Sequence, residues 1–480
     1  MIRALPAIVA IVLLIAVAVF VADRPGTVEL EWQNWRIDTS VAVLVLGVGM
    51  VAMIGAGLFH LLRRLVTAPA ALLRWRREKR REAGYRALTR GMVAIAAGDP
   101  AEALKFARRA DALLAEPPLT LLLSAQAAQL NGDQDAAKKY FAAMLERPET
   151  EFLGLRGLLM QALHVGDEAG GLKLVERAKE LRPKTPWVLT QLYELRARAG
   201  DWLAAETTLN EAIKRRAVDE ATGKHHRAVL LHQQSQAAEA GGDLGKALAL
   251  AGKAFDAERS FAPAAVHLAQ LQAGQSRQRR AVKTLFTAWR AMPHPDLARA
   301  YHALFKDETP LQKLKRIEHL AAAKLDHVES RIALAEASLS ARLWGEARRH
   351  MIEAGAGEAA PAPRVAALMA RIEEEEHGDH GAARTWRMRG AESEIADHAY
   401  VCDKCGAERQ TWSPLCPNCR AFASLHWRVP PRAKPALPTA ATGASAQAPR
   451  ASSPPLSLVD HGAARLIRSA APQEADVAQR

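Results

Sequence analysis

Apolar and polar positions follow three successive regimes along this chain. Residues 5–22 and 41–62 are nearly unbroken apolar runs, with Pro6 near the start of the first and His60 as the one clearly polar side chain of the second. At about 1.5 Å per residue these predict helices of roughly 27 and 33 Å, enough for a hydrocarbon core of about 30 Å. Between them lies a short mixed-charge loop holding Trp32 and Trp35, which suit the headgroup level as interfacial anchors. From about residue 84 to 392 the pattern is that of amphipathic helices. Over residues 398–429 it shortens into strand-like pieces, at Tyr400-Val401, Gln410-Thr411-Trp412 and 425–429. Residues 430–480 are rich in Pro, Ala and Ser, cannot build a core, and are expected to be disordered.

The long helical region repeats. Gly98-Asp99, Gly132-Asp133, Gly166-Asp167 and Gly200-Asp201 are spaced 34 residues apart, Gly242-Asp243 follows after 42, and Gly378-Asp379 comes later. Five residues past each glycine stands a small residue: Ala103, Ala137, Gly171, Ala205, Ala247 and Ala383. Ala281 and Ala347 keep the phase without Gly-Asp. Seven residues further, Ala110, Ala178, Ala212, Ala254, Ala288 and Ala354 recur. The physical logic is an α-hairpin: glycine ends one helix, aspartate caps the next, and small residues let the two backbones approach. A period of 34 with small residues at these offsets resembles the tetratricopeptide repeat (TPR), with eight or nine units over residues 84–392, a degenerate unit near 300–330, and a longer turn around 217–226 absorbing the eight extra residues. The resemblance implies a solenoid whose groove binds a partner protein.

Composition sharpens this. Hydrophobic residues make up 49% of the 480 but aromatics only 5%, which fits helices packed on small residues. The net charge of +13 is concentrated in a basic connector, residues 65–90, where Arg74, Arg76, Arg77, Lys79, Arg80 and Arg81 follow Arg63 and Arg64. That placement predicts contact with membrane lipid and no nucleic acid, because no basic–aromatic stacking pattern appears. The loop between the apolar runs carries only Arg24 and Arg36, so both chain ends and the repeats are expected in the cytoplasm, on a bacterial inner membrane.

All four cysteines lie within 18 residues, as Cys402-Asp-Lys-Cys405 and Cys416-Pro-Asn-Cys419. Two Cys-x-x-Cys knuckles supply the four thiolates of a closed, structural metal site, with zinc expected and iron as the alternative occupant. Residues 398–429 would then be a zinc-ribbon or rubredoxin-like module, too small for a core of its own and stabilised by its metal. Cys416-Pro417 also fits a haem-sensing Cys-Pro pair, but the proline is more simply part of the knuckle. His225-His226 falls in the inserted turn, His377-Gly-Asp-His380 reads as a solvated turn, and Glu373 to Glu376 as a solvated helix face. No nucleophile–base pair, open metal site or phosphate loop is visible, so no catalytic residue is expected.

The fold class is therefore mainly α: a transmembrane hairpin over residues 1–64, the connector, the TPR-like solenoid, a small β zinc ribbon and a tail. The hairpin, its loop "DRPGTVELEWQNWRIDTSVAVLVL" and the repeats resemble the HemY family of proteobacterial inner-membrane proteins. That resemblance implies a non-enzymatic scaffold or regulator linked to late protohaem synthesis, with haem-biosynthesis enzymes as partners and no flavin fingerprint in the chain. The knuckles "YVCDKCGAERQTWSPLCPNC" resemble the terminal module of LapB, which implies an alternative: an adaptor regulating lipopolysaccharide synthesis through proteolysis. A haem- or porphyrin-binding chaperone is a third reading.

Overall fold

A computed structural model describes residues 26–32, 35–114, 117–358 and 360–431, with Val12, Ala16 and Val19 as isolated helical positions. The first apolar run and the C-terminal tail thus lie outside the described residues. The chain divides into two compact units, Met1–Asn131 and Gly132–Arg480.

In the first unit the segment expected as a loop between the apolar runs is itself folded. Strands β1 (Thr27–Trp32) and β2 (Trp35–Ser40) form an antiparallel hairpin in which Trp32 faces Trp35 across the turn. Alternation is strict here (Val28, Leu30 and Trp32 against Glu29 and Glu31, then Trp35 and Ile37 against Arg36 and Asp38), a period-2 signal that is passed over when the segment is read as a loop. Ser40 caps the next helix, its side chain accepting from Val43 N. That helix, Val41–Ala97, runs without a break for 57 residues, about 86 Å. It therefore merges three expected segments: apolar run, basic connector and first repeat helix. Its part Val43–Arg63 is long and apolar enough to cross a membrane and has no buried residue, and Arg74, Arg76, Arg77, Lys79, Arg80 and Arg81 are exposed beyond it. Its last turns pack through Ala87 and Ala94 on Ala103, Phe106, Ala107 and Ala110 of the helix Pro100–Leu113.

The second unit is a series of helix pairs ending in a small sheet. The expected α-hairpin chemistry is present at each Gly-Asp step. Gly98, Gly132, Gly166, Gly200, Gly242 and Gly378 all take left-handed backbone, φ between 67° and 81°. Asp99, Asp133, Asp167, Asp201, Asp243 and Asp379 accept from backbone amides of the following helix's first turn. The small residues are the contact points: Ala137, Ala205, Ala247, Ala281, Ala347 and Ala383 are fully buried, as are Ala178, Ala212 and Ala254. The two units lacking glycine keep the same turn. Ser276 (φ 59°) and Arg342 (φ 57°) stand five residues before Ala281 and Ala347, in the phase glycine occupies elsewhere. A non-glycine residue there costs on the order of 1 kcal/mol. Ser276→Gly and Arg342→Gly are each expected to raise the denaturant midpoint by a margin consistent with about 0.5–1 kcal/mol; a lower midpoint in both would show the side chains matter more than the backbone.

Three local expectations need correction. The extra residues before Gly242 form no longer turn. They lengthen the helix Glu220–Ala240 to 21 residues, adding N-terminal turns capped by Asp219 that carry His225 and His226. The run Glu373 to Glu376 is paired as well as solvated: Glu373 and Glu376 meet Arg348, Glu374 meets Arg387, and Glu375 meets Arg371. The alanine phase breaks at Ala354, where the helix Trp344–Met351 passes into a π-turn, Ile352–Ala356, with Gly355 at φ 101°. The degenerate unit is as expected, with a nine-residue helix Pro295–Ala303 and a six-residue loop before Pro310–Ala321. His380 is 85% exposed and the turn around it is solvated.

Strands β3 (Ala399–Cys402), β4 (Glu408–Arg409) and β5 (Leu425–Arg428) form an antiparallel sheet in the order β4-β3-β5. The middle expected strand is displaced: pairing is made by Glu408 and Arg409, while Trp412 packs between the sheet's cluster of Tyr400, Cys402 and Leu425 and Phe261 of the repeats.

Candidate metal centre and its docking seam

The two knuckles are built alike, offset by 14 residues. Cys402 N donates to Ala407 O (3.0 Å) and Cys416 N to Ala421 O (2.9 Å); Gly406 N donates to Cys402 O (2.9 Å) and Arg420 N to Cys416 O (2.8 Å). Val401 pairs with Glu408, and Leu415 with Phe422. The residue after each second cysteine is left-handed: Gly406 at φ 71° and Arg420 at φ 56°. This repeat brings Cys402, Cys405, Cys416 and Cys419 together, all four sulfurs within 4.8 Å of one another.

The cysteines are free thiols. The Sγ atoms of Cys402 and Cys419 are 3.6 Å apart, and those of Cys405 and Cys416 3.7 Å. A tetrahedral ion at about 2.3 Å from each sulfur has an S···S edge of about 3.8 Å, so the donor set fits a metal of this size. Disulfides would need about 2.05 Å. Ser424 Oγ lies 3.2 Å from Cys402 Sγ. Burial pushes the Cys402 thiol up, but hydrogen bonding from Ser424 and the amides of Cys405 and Lys404 outweighs it and holds the group at about 6. Asn418 is the main influence lowering Cys405. Burial and then the neighbouring cysteines push Cys419 up to about 12. Four thiols so close cannot all ionise alone; a cation that compensates their charge lets them do so, with release of protons.

How the module sits on the repeats is a finding of the structure. It folds back over the first helices of several pairs. Phe422 and Ala423 belong to one buried cluster with Leu189, Tyr193, Ala228, Leu231 and Phe261, and Trp412 and Leu415 pack against it. Ring contacts follow along the seam: Trp412 on Phe261 (5.0 Å) and His232 (5.6 Å), Phe422 on His226 (5.4 Å), His426 on His225 (4.6 Å), and Trp427 on His294 (4.3 Å). Tyr400 Oη lies 3.0 Å from His294 Nε2. At one end Arg420 Nε and Nη2 donate to both oxygens of Glu168, at 3.0 and 2.9 Å. The expectation of a module resting on its metal alone is thus incomplete. Two signals were available in the chain: His225-His226 sits in the inserted stretch, and Tyr400, Trp412, Phe422 and Trp427 crowd a short segment of a chain that is only 5% aromatic.

The seam is apolar but not fully satisfied. The Trp412–Phe261 pair adds about 0.5–1.5 kcal/mol beyond its buried area. Against this, His225 Nε2, His232 Nδ1, Trp412 Nε1 and Trp427 Nε1 are buried with no hydrogen-bonding partner from the protein. Each such group costs about 1–3 kcal/mol. Burial, reinforced by His225 and His426, lowers His226 to about 4; burial and His267 lower His232 to about 3; burial lowers His294 to about 4. These rings are neutral at neutral pH, and because their values lie below the ordinary 6.5, acid works against the docked form.

A helix fit for a bilayer, a TPR-type series of α-hairpins and a four-cysteine module packed on the repeats define a helical-repeat protein. Residues 26–132 match the family model described as HemY protein N-terminus, so the chain carries a HemY-type N-terminal region. The probable magnetosome protein Mms48 of Magnetospirillum gryphiswaldense is 29% identical over 435 residues, covering 89% of this chain and 94% of that protein. Protein HemY of Escherichia coli K12 is 25% identical over 221 residues, 46% of this chain and 54% of HemY, so that match spans about half of each. Among solved structures, Naa15/Naa10 bound to HypK-THB aligns over 65% of this chain and 50% of that one, with 14% identity and a TM-score of 0.39.

Proposed function

We infer that this chain is a membrane-anchored, non-enzymatic scaffold that holds partner proteins on its helical repeats, and that Cys402, Cys405, Cys416 and Cys419 hold a structural zinc ion, with iron as the alternative. The single observation that carries the scaffold reading is the regular α-hairpin series. Its shape-giving residues are turn and packing positions, and the four-sulfur cluster would leave a metal no open coordination position for substrate. We place residues 1–64 in the inner membrane and the repeats and module in the cytoplasm, with the exposed basic turns at Arg74 to Arg81 against anionic lipid. The HemY-type N-terminal region supports a role beside protohaem synthesis. The matching extent of Mms48, 94% of its length, supports a second reading, a role at magnetosome membranes. The adaptor role implied by the LapB-like knuckles is a third.

Deletion of the gene with profiling of haem and porphyrins separates these. Accumulation of a tetrapyrrole intermediate is expected. Unchanged tetrapyrroles with altered lipopolysaccharide would replace the first reading by the adaptor. Unchanged tetrapyrroles with impaired magnetosomes, in a host that makes them, would favour the second. Crosslinking from the repeat helices followed by mass spectrometry is expected to recover a biosynthetic enzyme.

A further inference from the structure

Most groups the module touches lie on the first helix of a pair or at its N-terminal end: Tyr193 on Pro186–Arg198, His225, His226 and His232 on Glu220–Ala240, Phe261 capping Ala262–Gly274, and His294 capping Pro295–Ala303. A continuous face of stacked helices is the kind of surface on which a solenoid holds its partners. Here the chain's own C-terminal segment fills it. The lengthening of Glu220–Ala240 serves the same contact, since the added turns present His225 to His426 and His226 to Phe422. Arg420 points the same way. Its knuckle twin is Gly406, yet this left-handed position holds an arginine whose side chain spans to Glu168.

We propose that the four-cysteine module is a metal-dependent plug on the partner-binding face of the repeats between Pro186 and Ala303. Held in shape by its metal, the module presents Trp412, Phe422, Trp427 and Arg420 as one surface and covers the face. When the knuckles lose the metal, that surface comes apart and the face opens. The plug also shows the chemistry of what competes for the face: a segment with spaced aromatic side chains and an arginine, received by Phe261, Tyr193 and the histidines, with Glu168 at the rim. The unpartnered nitrogens of His225, His232, Trp412 and Trp427 gain water on opening. This inference rests on the metal reading of the four cysteines.

The full chain in detergent micelles provides the test, by histidine labelling with diethylpyrocarbonate read out residue by residue, with zinc content and free thiols measured on the same samples. With zinc bound, His226, His232 and His294 are expected to label slowly, and His380, exposed throughout, serves as reference. A strong chelator is expected to raise labelling of those three by roughly tenfold or more, as a local opening does. Phe422→Ala combined with Arg420→Gly removes the anchor and the ion pair while giving the second knuckle the residue of the first; it is expected to label like the chelated protein with its zinc retained. Chelation that frees four thiols without changing the histidines would overturn the plug and leave the metal site standing. Unchanged labelling in the zinc-loaded double variant would overturn it as well. A purified chain with four free thiols, no metal and protected histidines would instead sink the metal reading, and metal dependence with it.

Discussion

Cys402→Ser is expected to empty the metal site and unfold residues 398–429 while leaving the repeat helices intact. Cys402 is 1% exposed, lies 3.6 Å from Cys419 Sγ, and is held toward the thiolate by Ser424 and two backbone amides. Serine keeps the size but offers no thiolate, and its hydroxyl is a poor ligand near neutral pH. Structural zinc sites of this kind contribute about 10–16 kcal/mol of apparent binding free energy, more than so small a sheet gains from its own core of Tyr400, Cys416 and Leu425. Metal analysis should therefore give close to zero zinc per chain, and far-UV circular dichroism should retain nearly all its helical signal, because the α-hairpin contacts through Ala205, Ala247 and Ala281 are untouched. Cys419→Ser should behave the same way. Full metal stoichiometry in both variants would mean that the four sulfurs are not the ligand set.

The second large effect is expected at Arg364. Its Nη1 donates to both carboxylate oxygens of Glu329, at 2.9 and 2.8 Å, and Glu329 is 4% exposed. Arg364→Met strands that carboxylate in the core of the C-terminal repeats, where breaking one side of a buried pair costs about 3–5 kcal/mol. Arg364→Met with Glu329→Met removes both charges at similar volume and should recover most of the loss or exceed the parent, since an apolar replacement avoids desolvating either ion. Denaturant titration of the three proteins decides this. A single variant within about 0.5 kcal/mol of the parent would show that Glu329 finds water or a proton at little cost. Asp397 is expected to stay put in both, because it is also held by the backbone N–H of Arg364, in the first turn of the helix Pro363–His377.

Legibility differed by the range of the interaction. The Gly-Asp steps were readable because a left-handed glycine and an N-capping aspartate are local requirements, each satisfied within four residues. The cysteine knuckles were readable for the same reason. Ser276 and Arg342 show the limit: they adopt the glycine conformation under tertiary packing, without the residue that advertises it. The β-hairpin of residues 27–40 was written in the alternation of its residues but masked by its place between two apolar runs, which favours a loop, and the added turns at Glu220 were masked by the assumption that extra residues in a repeat form a loop.

Periodicity, caps and cysteine spacing by themselves determined that this protein is a helical repeat with a span-length apolar helix toward one end and a four-cysteine module toward the other. They did so because each is specified by residues adjacent in sequence or one helical turn apart. Where the module rests was decided by tertiary structure alone. Arg420 and Glu168 are 252 residues apart, and Tyr400 and His294 106 apart. Contacts of that separation leave no period in the sequence. They exist only once the helix pairs have stacked to form a face with Phe261, His232 and His226 in one row, against which the aromatic side of the folded module can bury.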